Sequence, residues 1–372
     1  MISRLWLLIL AGGSLSSMAE AQPLTASNSA PTAPGEIVLV EAEAVKSAAV
    51  AQWRKEGFKA VAVVLDERTA ESACRELARH ASDGGLDLYW WIEVARNPKL
   101  AEAHPRWIAA LGMHEDWQKN FPNLPEPKAG EVAKAFPWVP IAYRESFDAH
   151  LARIDELLKR VPPGWRGLLL NDLQGGPSSC GCGNLQCRWA IDYGVRSTAT
   201  KMRDDFVAAR FLTEVRKRTG GKSVIPVWTT ECDAVDLPAD KNQGRPGTGL
   251  CGTVGCATAA CPETFARQWS ALTIDYAGPV ALLALHIALQ RTERAFGGGP
   301  GWLTNAVTYL NQTVPAHGGK AVPPSQLWAV VEGSGTEETA ARKTAAQAGV
   351  AAVIVARTKI DQSYEPRLIL AK

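Results

Sequence analysis

The feature that most constrains the fold is a series of eight short apolar runs. From residue 36 onward, most of these runs alternate with segments of helical spacing, and the runs themselves are continuously apolar. Continuous apolar runs favour strands buried on both faces, as in a parallel sheet covered by helices. The predicted strands are Ile37–Val40, Ala60–Leu65, Leu88–Val94, Gly167–Leu170, Val224–Trp228, Val280–Ile287, Gln326–Val331 and Ala351–Val355.

The segments between these runs have the apolar spacing of helices. The predicted helices are Ala70–Ala81, Phe147–Lys159, Ala199–Lys217, Pro262–Ile274, Trp302–Leu310 and Glu337–Ala348. Eight strand–helix units predict an α/β chain folded as one (β/α)8 TIM barrel over residues 36–372. A doubly wound open sheet is the second interpretation, and it is weakened because no G-x-G-x-x-G follows the first strand.

The first 21 residues predict a secretory signal peptide. Arg4 supplies a positive charge, Leu5–Ala11 is apolar, and Ala19-Glu20-Ala21 offers a cleavage site after Ala21. Residues 22–35 are polar and proline-rich, and we interpret them as a flexible leader. We therefore expect a periplasmic or secreted protein.

Charge and hydropathy exclude two classes of partner. The formal net charge is +2, from 40 basic and 38 acidic residues, whereas a nucleic-acid binder usually carries a basic excess. No run of eighteen apolar residues follows the leader, so we predict no membrane span. The sequence leaves the oligomeric state open.

Cysteines are concentrated in two segments of the chain. Seven of the eight lie between residues 180 and 261, in loops 175–197 and 231–262 after the fourth and fifth predicted strands. Neighbouring barrel strands place these loops side by side, which predicts an enlarged cysteine-rich lobe at the C-terminal face. The first loop contains Cys180, Cys182 and Cys187, and the second contains Cys232, Cys251, Cys256 and Cys261.

Three chemistries suit this lobe. In an exported protein the default is disulfides, although seven is an odd number and disulfides alone leave one thiol over unless Cys74 joins them. The alternative is a zinc site with Cys180, Cys182, Cys187 and Cys232 as ligands, because zinc takes thiolates and the C-x-C pair can supply two. An iron–sulfur centre is the third alternative. The barrel itself requires no cofactor, and Cys74, in a helical segment, is interpreted as a buried small hydrophobe.

Polar residues follow several of the predicted strands. Chemistry in a (β/α)8 barrel takes place where the strands run out at their C-terminal ends. A single acidic residue there is commonly an ordinary loop residue, but several together favour a site. The candidates are Asp66, Glu93, Asn171, Asp172, Glu231, His286 and Glu332.

One stretch resembles a known group of proteins. The segment Trp165–Trp189, WRGLLLNDLQGGPSSCGCGNLQCRW, resembles exported bacterial glycoside-hydrolase-like barrels, in which the fourth strand leads into a C-x-C cluster. The upstream Trp138-Val139-Pro140, Arg144 and the helix Phe147–Lys159 are similar to the approach to that strand. Family 42 β-galactosidases carry a comparable cysteine cluster, which binds zinc in that family. The resemblance covers roughly residues 136–190.

The resemblance implies a retaining or inverting glycosidase with two carboxylates. The acid/base position after strand four matches Asp172, and the nucleophile position ending strand seven matches Glu332. The usual Asn-Glu pair is replaced here by Asn171-Asp172, and strand alternation lets only one of the two face the barrel mouth. If Asn171 faces it, the strand itself provides no acid. Glu231, which follows strand five, is then the substitute.

A carbohydrate substrate is also suggested by the 13 tryptophans, against 6 tyrosines. Indole rings stack on the apolar faces of sugars, although tryptophans within strands commonly fill the core. The candidate substrate-binding residues are Asn171, Trp138, Tyr143, Arg144, Trp189, Glu93 and His286.

The leading hypothesis is an exported glycoside-hydrolase-like protein that acts on a glycan through two carboxylates. One alternative is a non-catalytic periplasmic protein that binds a metal or a partner through its cysteine lobe. The other alternative is a catalytically inactive carbohydrate-binding barrel.

Overall fold

The computed structural model describes residues 35–108, 110–111, 131–137, 139–141, 144–171, 173, 204–229, 280–284, 323–332, 335–358 and 367–371, with the further positions 125, 128, 129, 304, 307, 308, 315 and 321. Its strands are β1 (Glu36–Val40), β2 (Ala60–Val64), β3 (Asp87–Glu93), β4 (Ala110–Leu111), β5 (Val132–Phe136), β6 (Gly167–Asn171), β7 (Ser223–Thr229), β8 (Val280–Ala284), β9 (Leu327–Glu332), β10 (Ala352–Ala356) and β11 (Arg367–Ala371). Its α-helices are α1 (Ser47–Lys55), α2 (Glu71–Asp83), α3 (Pro98–Ala103), α4 (Arg144–Leu158), α5 (Asp204–Arg218) and α6 (Thr336–Gln347).

Eight of the strands form a closed parallel barrel. The order around the ring is β1, β2, β3, β6, β7, β8, β9 and β10, and β10 pairs back to β1. The closing pair aligns Glu36 with Val353 and Leu39 with Ala356. Each predicted strand overlaps one barrel strand, so the predicted (β/α)8 fold is confirmed. The doubly wound alternative is wrong, because that sheet stays open whereas β1 and β10 close this one.

The barrel interior is filled by large side chains from some strands set against small ones from the strands between them. Tyr89 of β3 and Trp328 of β9 meet edge to face, with ring centroids 5.7 Å apart. A Cβ added to Gly167 of β6 would lie 3.0 Å from the Tyr89 ring, so this ring occupies the space of a side chain. The large members are Tyr89, Trp91 and Trp328, and the small ones include Ala60, Ala62, Gly167, Ala352 and Ala356.

The opposite faces of the strands pack under the helices. Val50 and Trp53 of α1, Leu77 of α2 and Ile154 of α4 are buried in this outer layer. Cys74 of α2 is fully buried there, and burial raises the pKa of its thiol. A buried neutral thiol is what the helical segment around Cys74 predicts.

Four predicted helices are confirmed as α2, α4, α5 and α6, while α1 and α3 are additional. The predicted helix Pro262–Ile274 lies outside the described residues, as does most of Trp302–Leu310. Loops 175–197 and 231–262, which make up the predicted cysteine-rich lobe, lie outside them as well. Within the described part of the chain, no helix combines the length and hydropathy needed to cross a bilayer.

A small antiparallel sheet, which the sequence patterns do not predict, joins two distant parts of the chain. It consists of β4, β5 and β11, with Leu368 of β11 opposite Ala135 of β5. β4 and β5 belong to the connection between β3 and α4. The buried Lys134 on β5 donates to the main-chain oxygens of Pro105 (2.9 Å) and Arg106 (3.1 Å), and burial lowers the pKa of its amine.

Candidate active site

The carboxyl ends of the barrel strands carry three of the predicted site residues. Glu93 is the last residue of β3, Asn171 the last of β6 and Glu332 the last of β9. β3 and β6 are neighbours, and their register pairs Glu93 with Asn171. Glu332 pairs with Ala356 of β10. This end of the barrel is where (β/α)8 enzymes carry out their chemistry.

Glu93 is a buried carboxylate that accepts hydrogen bonds from the neutral side chains of Trp91 and Asn171. The residue is 9% exposed. The indole N–H of Trp91 donates to Glu93 Oε1 at 2.8 Å, and the Asn171 amide donates to Oε1 at 3.0 Å and to Oε2 at 2.9 Å. An ionised carboxylate only accepts hydrogen bonds, so the two donor nitrogens of Trp91 and Asn171 match it. These contacts fix the positions of both carboxylate oxygens at the barrel mouth.

Asn171 occupies the inward position at the end of β6. Leu169, two residues earlier, belongs to the interior cluster, whereas Leu170 packs in the outer layer. Strand alternation therefore directs Asn171 into the mouth, where its side chain is fully buried. Among the described residues, Asn171 Oδ1 has no hydrogen-bond partner. The end of β6 thus presents an amide to the barrel mouth. The last residue of this strand therefore supplies no acid to the site.

Asp66, another strand-end candidate, stabilises its own loop. Its Oδ1 accepts from the main-chain N–H of Arg68 at 2.8 Å, and its Oδ2 accepts from Arg68 Nε at 2.7 Å. Thr69 also contacts this carboxylate. Such bonds to residues two and three positions ahead are those of an Asx-type turn. The structure assigns Asp66 to the turn between β2 and α2.

A second carboxylate approaches the end of β3 from the helix layer. Arg153 of α4 donates to Glu67 through Nε at 2.6 Å and through Nη2 at 3.3 Å. Its Nη1 donates to the main-chain oxygen of Glu93 at 2.7 Å. Burial by itself would raise the pKa of Glu67, but the hydrogen bond and charge of Arg153 outweigh it and the pKa is lowered. Sequence reasoning missed this pair, because no local pattern joins residues 86 positions apart.

Arg144, a predicted substrate contact, is the first residue of α4 and is exposed. Within the described part of the chain, no hydrogen bond joins it to Glu93 or Asn171. The structure therefore brings Glu93 and Asn171 together but does not add Arg144 to them.

The other predicted site residues lie outside the described residues, and their roles stay predictions. They are Asp172, Glu231, Trp138, Tyr143, Trp189, His286 and the cysteines Cys180, Cys182, Cys187, Cys232, Cys251, Cys256 and Cys261. Among the residues that are described, no group of three or more His, Cys, Asp or Glu side chains is placed to hold a metal ion.

Comparison with known proteins returns similarities of fold at low identity. No protein-family model and no curated protein matches the sequence. A β-galactosidase from the psychrophilic Marinomonas ef1 has 12% identity and a TM-score of 0.45, over 86% of this chain and 53% of that chain. The catalytic domain of a β-amylase from Paenibacillus polymyxa has 10% identity and a TM-score of 0.45, over 87% of this chain and 92% of that chain.

A protein of a different kind is matched as well. The carboxyl transferase domain of Rhizobium etli pyruvate carboxylase has 10% identity and a TM-score of 0.36, over 87% of this chain and 40% of that chain. Similarities of this size carry no argument about activity. A barrel fold hosts many unrelated reactions, so function has to be argued from the residues at the strand ends.

Proposed function

We propose that this protein is a glycoside-hydrolase-like enzyme that acts on a glycan at the carboxyl ends of its barrel strands. The observation that carries the proposal is the buried Glu93 carboxylate, whose two oxygens are held by Trp91 and Asn171. Hydrolysis of a glycosidic bond needs one ionised carboxylate and one carboxyl that delivers a proton. Glu93, which accepts from the N–H donors of two side chains, is suited to the ionised role.

Glu332 is the second carboxyl of the proposal. β3 and β9 are the third and seventh strands of the eight-membered ring, so the ends that carry Glu93 and Glu332 lie on opposite sides of the mouth. A glycosidic bond held between them would receive a proton on its leaving oxygen from one carboxyl. The ionised carboxylate would attack the sugar carbon or take a proton from the attacking water. Because Asn171 takes the inward position at the end of β6, Glu231 and not Asp172 is the alternative proton donor.

Asn171 and Trp91 act in this proposal by holding Glu93. The amide and the indole are neutral, so they fix the carboxylate without cancelling its charge. The Asn171 Oδ1 atom, which has no partner among the described residues, is an acceptor for a substrate hydroxyl. A buried acceptor left unpaired costs free energy that a bound hydroxyl would recover.

The test is hydrolysis of a panel of oligosaccharides by the mature protein and two variants. We expect Glu93→Gln and Glu332→Gln each to lower kcat by a factor of about 10² to 10⁴, the usual contribution of an acid/base group. The exposed Glu43→Gln is the matched control and should leave the rate unchanged. Wild-type rates in both site variants, with folding verified by circular dichroism, would refute the assignment.

A catalytically inactive carbohydrate-binding barrel is the second candidate, and Asn171 is the observation that favours it. An amide at the inward end of β6 leaves that strand without an acid of its own. This candidate predicts glycan binding by calorimetry, no hydrolysis by the wild type, and loss of binding in Asn171→Leu. Turnover of any panel member by the wild type excludes it.

Export and the state of the cysteines belong to the proposal as well. We propose cleavage after Ala21 and pairing of six of the seven cysteines of the lobe as three disulfides, which leaves one thiol, with a zinc–thiolate site as the alternative. Intact mass spectrometry of protein purified from an exporting host measures the N-terminus, the number of free thiols and the bound zinc together. A mature chain beginning at Gln22 supports export, and retention of the first 21 residues contradicts it.

A further inference from the structure

A cavity of about 330 Å³ lies next to the end of β3, between the segments that follow β2 and β3 and helix α4. Its apolar wall is formed by Leu100 and Ala103 of α3 and by Leu157 of α4. Its polar wall includes Asn97, Lys99 and Arg160. The Glu93 side chain points instead into the barrel, toward Asn171, so the cavity is separate from the proposed glycan site.

The charges that line this cavity leave two cations available. Besides Lys99 and Arg160, the lining includes Glu67, Arg153 and Glu156. Glu67 is paired with Arg153, and all three guanidinium nitrogens of Arg153 already donate to Glu67 or to the Glu93 oxygen. Glu156 pairs with Lys159 at 2.6 Å, on the exposed side of the segment. Glu67 and Glu156 therefore each have an ion-pair partner other than Lys99 or Arg160, and the charge of Lys99 acts on Glu67 only from beyond ion-pair distance.

Lys99 and Arg160 keep donors that other residues do not use. Among the described residues, the exposed Lys99 ammonium has no hydrogen bond and no ion pair. Arg160 uses Nη1 for the main-chain oxygens of Glu67 and Thr69, each at 3.2 Å, and its Nε and Nη2 are not engaged by described residues. A guanidinium presents its N–H donors in a planar fork that suits a carboxylate.

Asn97 adds a buried donor on the same wall. The residue is 3% exposed, and its Oδ1 accepts from the main-chain N–H of Leu100 at 3.0 Å. With Oδ1 engaged, the side-chain NH2 is the group of Asn97 that a ligand can use. The cavity is thus lined by neutral and charged N–H donors, by the apolar side chains of α3 and α4, and by the already paired Glu67, Arg153 and Glu156.

We propose that this cavity binds a small organic anion, a carboxylate carried on a compact apolar body of about one ring. The volume lies at the lower end of the range for small-molecule sites, which limits the ligand to that size. The carboxylate would meet Lys99, Arg160 and the Asn97 amide. The apolar body would cover Leu100, Ala103 and Leu157.

Isothermal titration calorimetry of the mature protein with three probes tests the two halves of the proposal separately. Benzoate has both the charge and the ring, benzamide has the ring without the charge, and sulfate has the charge without the ring. We expect saturable binding of benzoate at one site, and binding of benzamide and of sulfate weaker by about tenfold or more. Equal affinity for benzoate and benzamide, or for benzoate and sulfate, overturns the proposal, as does the absence of saturable benzoate binding.

Two variants place the binding in this cavity. Lys99→Gln should weaken benzoate binding by about fivefold or more without changing benzamide binding, whereas Lys55→Gln on α1 is the matched control and should change neither. Ala103→Trp fills the cavity from an exposed position and should abolish benzoate binding while the melting temperature stays near that of the wild type. Unchanged benzoate affinity in folded Lys99→Gln and Ala103→Trp overturns the assignment to this cavity. None of these measurements depends on glycan hydrolysis.

Discussion

Two carboxylates flank the end of β3, and they are held in opposite ways. Glu93 points into the barrel and receives hydrogen bonds from the neutral groups of Trp91 and Asn171. Glu67 lies in the helix layer and is paired with the guanidinium of Arg153. Neutral donors orient a carboxylate and leave its charge in place, whereas a guanidinium cancels it. We therefore propose the inner carboxylate as the reactive one, and the outer one as part of an ion pair that fastens α4.

Arg153 connects the two arrangements. It pairs with Glu67 and also donates to the main-chain oxygen of Glu93 at 2.7 Å. The end of β3 is thus held by a side chain inside the barrel and by a main-chain contact outside it. Substitutions inside the barrel test whether Asn171 orients Glu93. Substitutions in the helix layer test whether the Arg153–Glu67 pair fastens α4.

Asn171→Leu should have the largest effect on stability. It removes two hydrogen bonds from a buried carboxylate, and we expect a loss of about 4 kcal/mol in the free energy of unfolding. Urea denaturation followed by tryptophan fluorescence measures it. A loss below about 1 kcal/mol would mean that Asn171 does not hold Glu93.

A reversed pair serves as the control for this network. Asn171 Nδ2 contacts both oxygens of Glu93, so in Glu93→Gln the new NH2 group lies against another N–H donor. The single variant should therefore be destabilised. Adding Asn171→Asp restores a donor opposite an acceptor and moves the carboxylate to β6. We expect the double variant to recover part of the stability, and simple addition of the two losses would contradict the described pairing.

His150 should make the helix layer sensitive to pH. Burial lowers the pKa of its imidazole to about 4, against the effect of its hydrogen bond to the Val139 oxygen, and Arg153 and Glu67 lie near it. The unfolded chain then binds more protons than the folded one between about pH 6.5 and pH 4, so stability falls as pH falls through that window.

We expect the wild type to lose about 3 kcal/mol relative to His150→Gln between pH 6.5 and pH 4, with a constant difference above pH 6.5. Urea denaturation at a series of pH values is the measurement. Parallel stability curves for the two proteins across this window would show that His150 is not buried in the neutral form.

Arg153→Gln should cost about 2 kcal/mol at pH 7, because Glu67 loses its partner in a half-buried setting. The pKa of Glu67 is lowered from 4.5, so the contribution of the pair is complete above that pH and is lost as pH falls below it. The difference between wild type and variant should shrink accordingly below pH 4.5. A constant difference down to pH 3 would contradict the pairing.

The exposed pair Arg166–Asp87 should matter least. The two side chains are 64% and 43% exposed, and their contact of 2.9 Å joins the beginnings of β6 and β3. An exposed ion pair contributes little, and we expect Arg166→Gln to change stability by less than about 0.5 kcal/mol. A loss of unfolding free energy as large as that of Arg153→Gln would show that the exposed pair stabilises the fold as much as the half-buried one.

The strands could be predicted because their residues are buried on both faces and leave a local signature. The sequence also predicts that Glu93 and Asn171 lie at the same end of the barrel, because parallel strands bring their carboxyl ends together. The sequence does not decide which of Asn171 and Asp172 faces the barrel mouth. The structure decides it, because Asn171 lies on the same inward face of β6 as Leu169. The pair of Arg153 with Glu67 and the sheet of β5 with β11 join distant segments by side-chain and edge contacts that no local period encodes.

Glu93 is proposed to be a reactive carboxylate and not only a structural one. The most direct test compares glycan binding by calorimetry with the hydrolysis rate, for the wild type and for Glu93→Gln, on the same oligosaccharide. We predict that the folded variant still binds the glycan but hydrolyses it slower by a factor of about 10² or more. Hydrolysis by the variant at the wild-type rate would contradict the claim.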